Sequence, residues 1–357
     1  MGLVDIVVPC YNYGRFLGKC VESLLDQEGV DVRILIIDDA SCDDTPQVGQ
    51  RLASRDPRVT FRRHAANQGH INTYNEGLLG WASAPYSLLI SADDALAPGA
   101  LARATRVMDR HRDIGMAYGM ALTIGEDNPT TTNQPSTIDY QVVPGPLFLQ
   151  FCCKSLYNPV PTPTAVVRTE VQHHLGGYKS EFPHTGDLEM WMRFAIHGPI
   201  AVLREVQGYY RWHGGNMAHR YYNQVISDRR EFAETCEHVL APLGKRLPAS
   251  EQWLCDMFRE MESQTFRNAA NAFDRGERAE YLAWLELANE ISPGSRRPTV
   301  PWRLKIRQQM GQAVWHKIRP GLSRIRGRPV TPQGLRFHPL PGERFGWWPE
   351  PARINRI

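Results

Sequence analysis

Leu88-Leu89-Ile90-Ser91-Ala92-Asp93-Asp94 is a short apolar run that stops at two adjacent carboxylates. A buried strand ending this way places acidic residues at the edge of a sheet, where open α/β folds bind ligands. Two like charges side by side are costly to hold unless a cation or hydrogen-bond donors neutralise them. The pair therefore points to a bound divalent metal facing a polyanionic ligand. A plainer reading competes. Asp bonds its own downstream backbone, and Pro98-Gly99 ahead of a helical stretch from Ala100 to His111 suits a turn or helix cap.

Upstream of this run, strand and helix alternate. Val4 to Val8 is a continuous apolar strand interrupted only by Asp5, and Phe16 to Asp26 follows with helical spacing. Val32 to Ile37, Val59 to Arg63 and Tyr86 to Ile90 read as further strands, with helices predicted over Thr45 to Arg55 and Asn72 to Trp81. Repeated βα units with near-continuous apolar strands predict a mostly parallel, Rossmann-like sheet with helices on both faces. Past Arg112 the pattern thins. Met116 to Ile124 and Ala201 to Tyr210 read as strands, Leu188 to His197 as a helix, and 126–136 as a loop. The three prolines of Asn158-Pro159-Val160-Pro161-Thr162-Pro163-Thr164 predict an extended segment. Glu231 to Leu240 and Glu251 to Ile291 read as a C-terminal helical extension, ended by Pro293-Gly294.

The strands end on chemistry. The first runs into Pro9-Cys10-Tyr11-Asn12, the second into Asp38-Asp39, and the third is followed by Asn67-Gln68-Gly69, with Asn75 in the next helix. The fourth delivers Asp93. These are carboxyl ends of parallel strands, so they converge on one edge. An aromatic ring there can stack on a nucleobase, a carboxylate can accept a base N–H or ribose hydroxyl, and a metal-bound Asp can neutralise a diphosphate. For Asp38 and Asp39 the plainer reading is a loop cap, which Asp43 or Asp44 before Thr45 also suits.

Taken together, Ile6-Val7-Val8-Pro9-Cys10-Tyr11-Asn12, Ile36-Ile37-Asp38-Asp39-Ala40-Ser41-Cys42-Asp43, Asn67-Gln68-Gly69 and Ile90-Ser91-Ala92-Asp93-Asp94 resemble the family 2 glycosyltransferases, over about residues 3 to 215. The resemblance implies a GT-A fold and an inverting, nucleotide-sugar-dependent transfer to a hydroxyl of a glycan or lipid-linked acceptor, as in polysaccharide biosynthesis. It implies that Asp39 contacts the nucleobase with Pro9 and Tyr11 lining the pocket, and that Asp93 ligates Mg²⁺ or Mn²⁺ against the diphosphate. Asn12, Asn67 and Ser91 complete the expected nucleotide-binding set. Ser91 is a departure: the family's Asp-x-Asp would put a carboxylate there, and the serine retains only a hydroxyl for the contact. Asp94 is assigned a supporting place behind Asp93.

An inverting transfer is an in-line displacement at the anomeric carbon through an oxocarbenium-like transition state. The acceptor hydroxyl must lose its proton as it attacks, which calls for a carboxylate beyond the nucleotide site. Thr185-Gly186-Asp187-Leu188-Glu189-Met190-Trp191-Met192-Arg193 resembles the family's Glu-Asp motif at a helix start, and Asp187 matches its base. Gly186 replaces the Glu, a second departure. Asp187 also suits a helix cap, and Glu189 is the rival base, turned away by its two-residue offset. Tyr210-Arg211-Trp212-His213-Gly214-Gly215-Asn216 resembles the family's Tyr-Arg-x-His segment, which puts Arg211 or His213 within reach of the diphosphate or metal. The Gly pair would permit loop closure. Two other classes stay open: a nucleotidyltransferase, although Pro9 to Lys19 holds only Gly14 and Gly18 where a phosphate loop would be expected, and a non-catalytic sugar-nucleotide-binding or scaffold protein.

Over its 357 residues the chain is 42% hydrophobic and 22% charged, ordinary for a globular protein. No apolar run approaches the roughly 18 residues of a membrane span. The N-terminus lacks a basic secretory region, and Ile6 stands where myristoylation needs Ser or Thr. Seven cysteines without a Cys-x-x-Cys pair fit a reducing, cytoplasmic compartment, with vicinal Cys152-Cys153 read as core. Eleven Lys or Arg and no acid fall between Ile291 and Gly342, so with a net charge of +3 the remainder is net acidic. Within that tail Trp302, Ile306, Met310, Val314 and Ile318 recur every four residues between Arg303, Lys305, Arg307, Lys317 and Arg319. This suits an amphipathic basic helix, either lying on an anionic membrane at the inner face or packed on the protein's own body. Nucleic acid is not an expected partner, because no recognition motif accompanies the charge. Trp347-Trp348-Pro349 carry no assignable pattern. The predicted organisation is a nucleotide-sugar-binding half (1–115), an acceptor-binding half of the same domain (116–225), a helical extension (226–292) and a basic tail (293–357).

Overall fold

A computed structural model describes residues 2–126, 138–216, 225–291, 300–315, 317–318 and 341–349, together with the backbone of 355–356. Two compact units emerge. The first comprises Met1–Cys152, Tyr157–Asn216 and Pro339–Ile357, and the second Cys153–Leu156 with Met217–His338.

The first unit is built on one mixed sheet. Its parallel part runs β1 (Gly2–Cys10), β2 (Val30–Asp38), β3 (Val59–Arg63) and β4 (Tyr86–Leu89), with β1 between β4 and β2 and β3 at the edge. Helices α1 (Gly14–Leu25), α2 (Thr45–Arg55) and α3 (His70–Gly80) make the crossovers, as the apolar periodicity predicts. Val4, Ile6, Val7 and Val8 are fully buried, which is why β1 reads as continuous rather than alternating. The one charge in that strand, Asp5, is equally buried and fully satisfied. It takes two 2.7 Å bonds from the Arg33 guanidinium of β2 and accepts from Ser83 N–H and Ala84 N–H. A buried carboxylate with four donors fixes the register of β1 against β2 and the turn before β4.

Beyond β4 come β5 (Ala95–Leu96), α4 (Ala100–Arg110), β6 (Met116–Ile124), β7 (Asp139–Val143), α5 (Gly145–Ser155), β8 (Val166–Arg168), α6 (Thr169–Leu175), α7 (Gly186–His197) and β9 (Ile200–Arg211). Short antiparallel β8 joins β4 to β6, and β6 pairs with β9 in parallel across nine registered positions. The long Ile200–Arg211 strand carries its C-terminal residues back to the same edge, and β5 pairs with it through Ala95 and Tyr209. The proline segment is not fully extended: Thr162–Thr164 closes one 3-10 turn, which the trans prolines permit because φ near −65° suits a turn as well as an extended chain.

The second unit holds α8 (Val225–Leu240), α9 (Ala249–Arg275), α10 (Arg278–Glu290) and α11 (Trp302–Met310). The helical stretch expected from Glu251 to Ile291 breaks at Gly276, whose φ of +88 ends α9 in a left-handed cap. Gly311, at φ +72, likewise interrupts the amphipathic helix expected from Trp302 to Ile318. Arg319 lies outside the described residues. The end of the chain also departs from its reading as tail. β10 (Arg344–Phe345) pairs with Leu122 and Ala121 of β6, and β11 (Asn355–Arg356) with Tyr140 and Asp139 of β7. Aromatic packing directs this: the Trp347 ring stacks on Phe151 at 4.0 Å and 10°. Among the described residues the cysteines form no disulfide, and no helix is long and apolar enough to cross a membrane.

Candidate active site

The sheet register brings the strand ends together. Cys10 pairs with Asp38, and Val7 with Leu89, so Tyr11, Asp39 and Ser91 leave the sheet side by side at one edge. Tyr11 is 46% exposed and its ring is open to solvent at this edge. Asn12 adopts a φ of +59, donates its N–H to Ser41 Oγ at 2.8 Å and accepts from Cys42 N–H at 2.8 Å. Asn12 therefore welds the turn after β1 to the turn after β2. Asp43, rather than Asp44, caps α2: it accepts from Thr45 N–H and Thr45 Oγ1, while its other oxygen takes Gly14 N–H.

Asp38 is wholly buried and structural, accepting from Ser41 N–H and pairing with Arg63 at 3.2 Å. Asp39 is held differently. Gln68 N–H and Gly69 N–H reach Oδ1 and Oδ2 at 2.7 and 2.9 Å, and His64 Nδ1 reaches Oδ1 at 2.7 Å. A carboxylate offers about four acceptor positions, so roughly one is left for a ligand N–H. The other nitrogen of His64, Nε2, lies 2.7 Å from Glu76 Oε2. Both ring nitrogens face carboxylates, so the protonated ring can donate both ways. Although burial lowers its basicity, the bonds to Asp39 and Glu76 raise the His64 pKa above the ordinary histidine value. Asn67 is exposed and accepts from Gly69 N–H at 3.0 Å, shaping the loop that presents those donors.

At the end of β4, Ser91 is half-buried, and its carbonyl accepts from Asp94 N–H at 3.1 Å. Asp93 and Asp94 are 4% and 3% exposed. Their environments separate them. Asp94 Oδ1 accepts Arg211 N–H at 2.9 Å, and burial with the neighbouring Asp93 charge pushes its carboxyl well up. Asp93 Oδ2 accepts from His213 Nε2 at 3.1 Å and Asn216 Nδ2 at 3.2 Å. The Tyr13 and Phe16 rings flank His213 at 5.4 and 4.5 Å, and Tyr13 Oη donates to Gly215 O. Gly215 N–H faces His213 Nδ1 at 3.1 Å, which places the ring proton on Nε2, toward Asp93. Arg211 is not free for a diphosphate. It is 1% exposed and its guanidinium is spent on the carbonyls of Asp93, Gly125 and Glu126.

Two buried adjacent carboxylates, one of them resisting ionisation, suit a divalent cation. Among the described residues no three metal-ligating side chains converge. Asp93 with His213 nevertheless fits an ion that takes its remaining ligands from phosphate oxygens and water. For Nε2 of His213 to ligate, its proton must pass to Nδ1 and Gly215 N–H must turn away.

On α7, Asp187 is half-buried in the first turn, and Thr162 Oγ1 donates to its Oδ2 at 2.5 Å. Burial pushes the Asp187 carboxyl up, against the Thr162 bond and the nearby His70 and His184 rings, which pull it down. Glu189 is fully buried and paired with Arg193 at 2.7 Å, so it faces the core and not the site. The loop entering α7 is clamped by Asn75, whose side-chain amide exchanges two bonds with the backbone of Tyr178 at 2.9 and 2.7 Å. A Cβ at Gly186 would meet Tyr178 and Ile71 at 3.5 and 3.6 Å, so these two side chains bound the space a glutamate would have used. Sequence reasoning missed His64, Glu76, Tyr13 and Thr162 as site residues. Each reaches its partner across at least a dozen residues, and no motif spacing marks such contacts.

The profile of glycosyl transferase family 2 matches residues 5–169. A Haemophilus influenzae protein described as an uncharacterized glycosyltransferase is 25% identical over 247 residues, 68% of this chain and 76% of that protein. The crystal structure of S. aureus TarS 1–349 in complex with UDP-GlcNAc covers 99% of both chains with a TM-score of 0.57 and 16% identity. The mannosyltransferase PcManGT from Pyrobaculum calidifontis, in complex with GDP-Man and Mn²⁺, covers 91% of this chain and 88% of its own with a TM-score of 0.50 and 15% identity. At such identities these structures speak for the fold, which is GT-A. Over residues 5–169, the segment that carries the strand-end motifs, the chain is similar to glycosyl transferase family 2.

Proposed function

We propose that the protein is an inverting, metal-dependent glycosyltransferase that moves a sugar from a nucleoside-diphosphate donor to a hydroxyl of a glycan or lipid-linked acceptor. Residues 1–115 would bind the donor and 116–225 the acceptor, in the cytoplasm, where the work belongs to polysaccharide biosynthesis. The observation that carries the reading is Asp187: a carboxylate at a helix start, made more basic by burial, oriented by Thr162 and, among the described residues, in no ion pair with Lys or Arg. Pro9, Tyr11, Asn12, Asp39, Asn67 and Ser91 would surround the nucleoside, with Tyr11 stacking on the base and Asp39 accepting its N–H. Asp93, joined by His213, would hold Mg²⁺ or Mn²⁺, which when bound offsets the charge on the departing diphosphate.

Asp187 takes the proton from the acceptor hydroxyl as that oxygen attacks the anomeric carbon. The bond from the anomeric carbon to the donor phosphate oxygen breaks on the opposite face, and the nucleoside diphosphate leaves with the electron pair. Tyr178 and Ile71, beside Gly186, would shape the acceptor's approach to Asp187. Ser91 and Gly186, where the family carries carboxylates, favour a second reading in which the chain binds a sugar nucleotide without transferring it. Incubation with a panel of UDP- and GDP-sugars and Mn²⁺ separates the two. Release of nucleoside diphosphate that stops on chelation supports the transferase, and tight donor binding without any turnover overturns it.

A further inference from the structure

α11 packs on its own unit with the wrong face for a simple amphipathic helix. Leu304 is its one buried apolar residue, at 2% exposure. The rest of the inward side is polar: Arg307 donates to Asp274 and to the Ala270 carbonyl, and Gln308 bonds the Tyr281 hydroxyl. After Gly311 the hold continues, with Gln312 on the Phe273 carbonyl and Trp315 Nε1 on Asp274 at 2.6 Å. The helix is therefore anchored to α9 and α10 through hydrogen bonds and one leucine. Its apolar stripe is left outside. Trp302 is 65% exposed and Ile306 42%, and beyond the break Val314 and Ile318 are 49% and 36% exposed.

At about 100° per residue, Trp302 and Ile306 share the outward face, with Arg303 on one flank and Lys305 on the other. Both basic residues are exposed, as is Lys317. No Asp or Glu occurs from 292 to 342, so nothing in this segment of sequence opposes their charge. An outward Trp and Ile between cations is the pattern of a helix that lies in the headgroup region of an anionic bilayer. An ordinary solvated helix would turn its charges outward and its apolar stripe in.

We propose that the outward face of α11, continued by Val314 and Ile318, docks on an anionic lipid bilayer. The apolar side chains enter the interface while Arg303, Lys305 and Lys317 meet the phosphate headgroups. The inference is independent of the transferase chemistry, because the face lies wholly within the second unit and its test needs no donor sugar.

The test is co-sedimentation of the full chain with vesicles of phosphatidylcholine alone and of phosphatidylcholine mixed with phosphatidylglycerol. Binding is expected only with the mixed vesicles, and to fall steeply as salt rises. The double variant Trp302→Ser, Ile306→Ser and the charge variant Arg303→Glu, Lys305→Glu should each weaken it on the order of tenfold or more. All four side chains are exposed, so circular dichroism should show both variants folded. Equal sedimentation of variants and parent, or none of the parent with either vesicle, overturns the proposal. A concentration-dependent dimer that the double variant dissociates also overturns it, because the stripe would then be a contact between copies of this chain.

Discussion

Thr162 Oγ1 stands 2.5 Å from Asp187 Oδ2, so the proline-rich segment before β8 holds the first turn of α7 by a charge-assisted hydrogen bond. That segment is itself braced from behind. Trp347 N–H donates to the Pro159 carbonyl at 3.1 Å, and Gly346 packs close to Pro161. The end of the chain thus supports the loop that orients the proposed base.

Asp187→Asn keeps the size and a carbonyl acceptor but removes the basic oxygen. Transfer is expected to fall roughly a hundred- to ten-thousand-fold, with donor affinity unchanged. Unaltered turnover in a steady-state transfer assay would remove Asp187 from the role.

Thr162→Val should separate orientation from basicity. With the hydroxyl gone, the carboxyl loses a bond that pulls its pKa down, so that pKa rises further. The base works only when ionised, and activity disappears as pH falls through its pKa. The acid limb of the pH–rate profile should therefore move to higher pH, with kcat at neutral pH down roughly ten- to a hundredfold from misplacement. A profile that keeps its acid limb, with only KM altered, would show that Thr162 acts elsewhere.

The continuous apolar strands made the parallel half of the sheet legible, because burial on both faces leaves no polar position to confuse the period. The strand-end positions of Asp93 and Asp39 were legible for the same reason, each sitting where such a strand stops. What partners them was not. His64, Glu76 and Thr162 act through contacts set by tertiary packing, and one His or Thr in a sequence carries no period. The tail misled in a more instructive way. Its four-residue repeat is real, yet Leu304 and not the repeat supplies the buried contact, since Arg307 and Gln308 found partners in Asp274 and Tyr281.

His64 gives a pH dependence of stability, where Asp187 gives one of activity. Its folded-state pKa lies above the unfolded value near 6.5, so its contribution to stability is complete below that value. The contribution is lost as pH rises through the folded pKa, when one of the two carboxylate contacts loses its proton. His64→Gln should flatten this part of the stability profile and weaken donor binding most at low pH. Urea melts and donor titrations across pH 6 to 9 read both, and identical slopes for variant and parent would deny the ring its cationic bridge.

Gly77→Ala probes the packing of α3 on β1. A Cβ at Gly77 would stand 2.3 Å from Val7 Cγ1, and Val7 is fully buried with no room to turn. The strain should cost about 1–3 kcal/mol of stability, visible as a lower urea midpoint at an unchanged slope. An unchanged midpoint would mean that α3 shifts freely on the sheet, which would also loosen the Gln68 and Gly69 donors at its N-terminus from Asp39.

The adjacent carboxylates should part company under mutation. Asp94 accepts the backbone N–H of a buried residue, Arg211, so Asp94→Ala leaves that donor unsatisfied and should cost about 1–3 kcal/mol of stability. Asp93 instead faces the side chains of His213 and Asn216, and Asn216 Nδ2 keeps the Arg211 carbonyl as a second acceptor. Asp93→Ala should keep most of the stability and abolish the difference in donor affinity with and without Mn²⁺, read by calorimetry in the presence and absence of a chelator. If Asp94→Ala removes the metal dependence and Asp93→Ala does not, the ligand and its support have been assigned the wrong way round. The Arg211 amide would then be the feature to re-examine, since it ties Asp94 to β9.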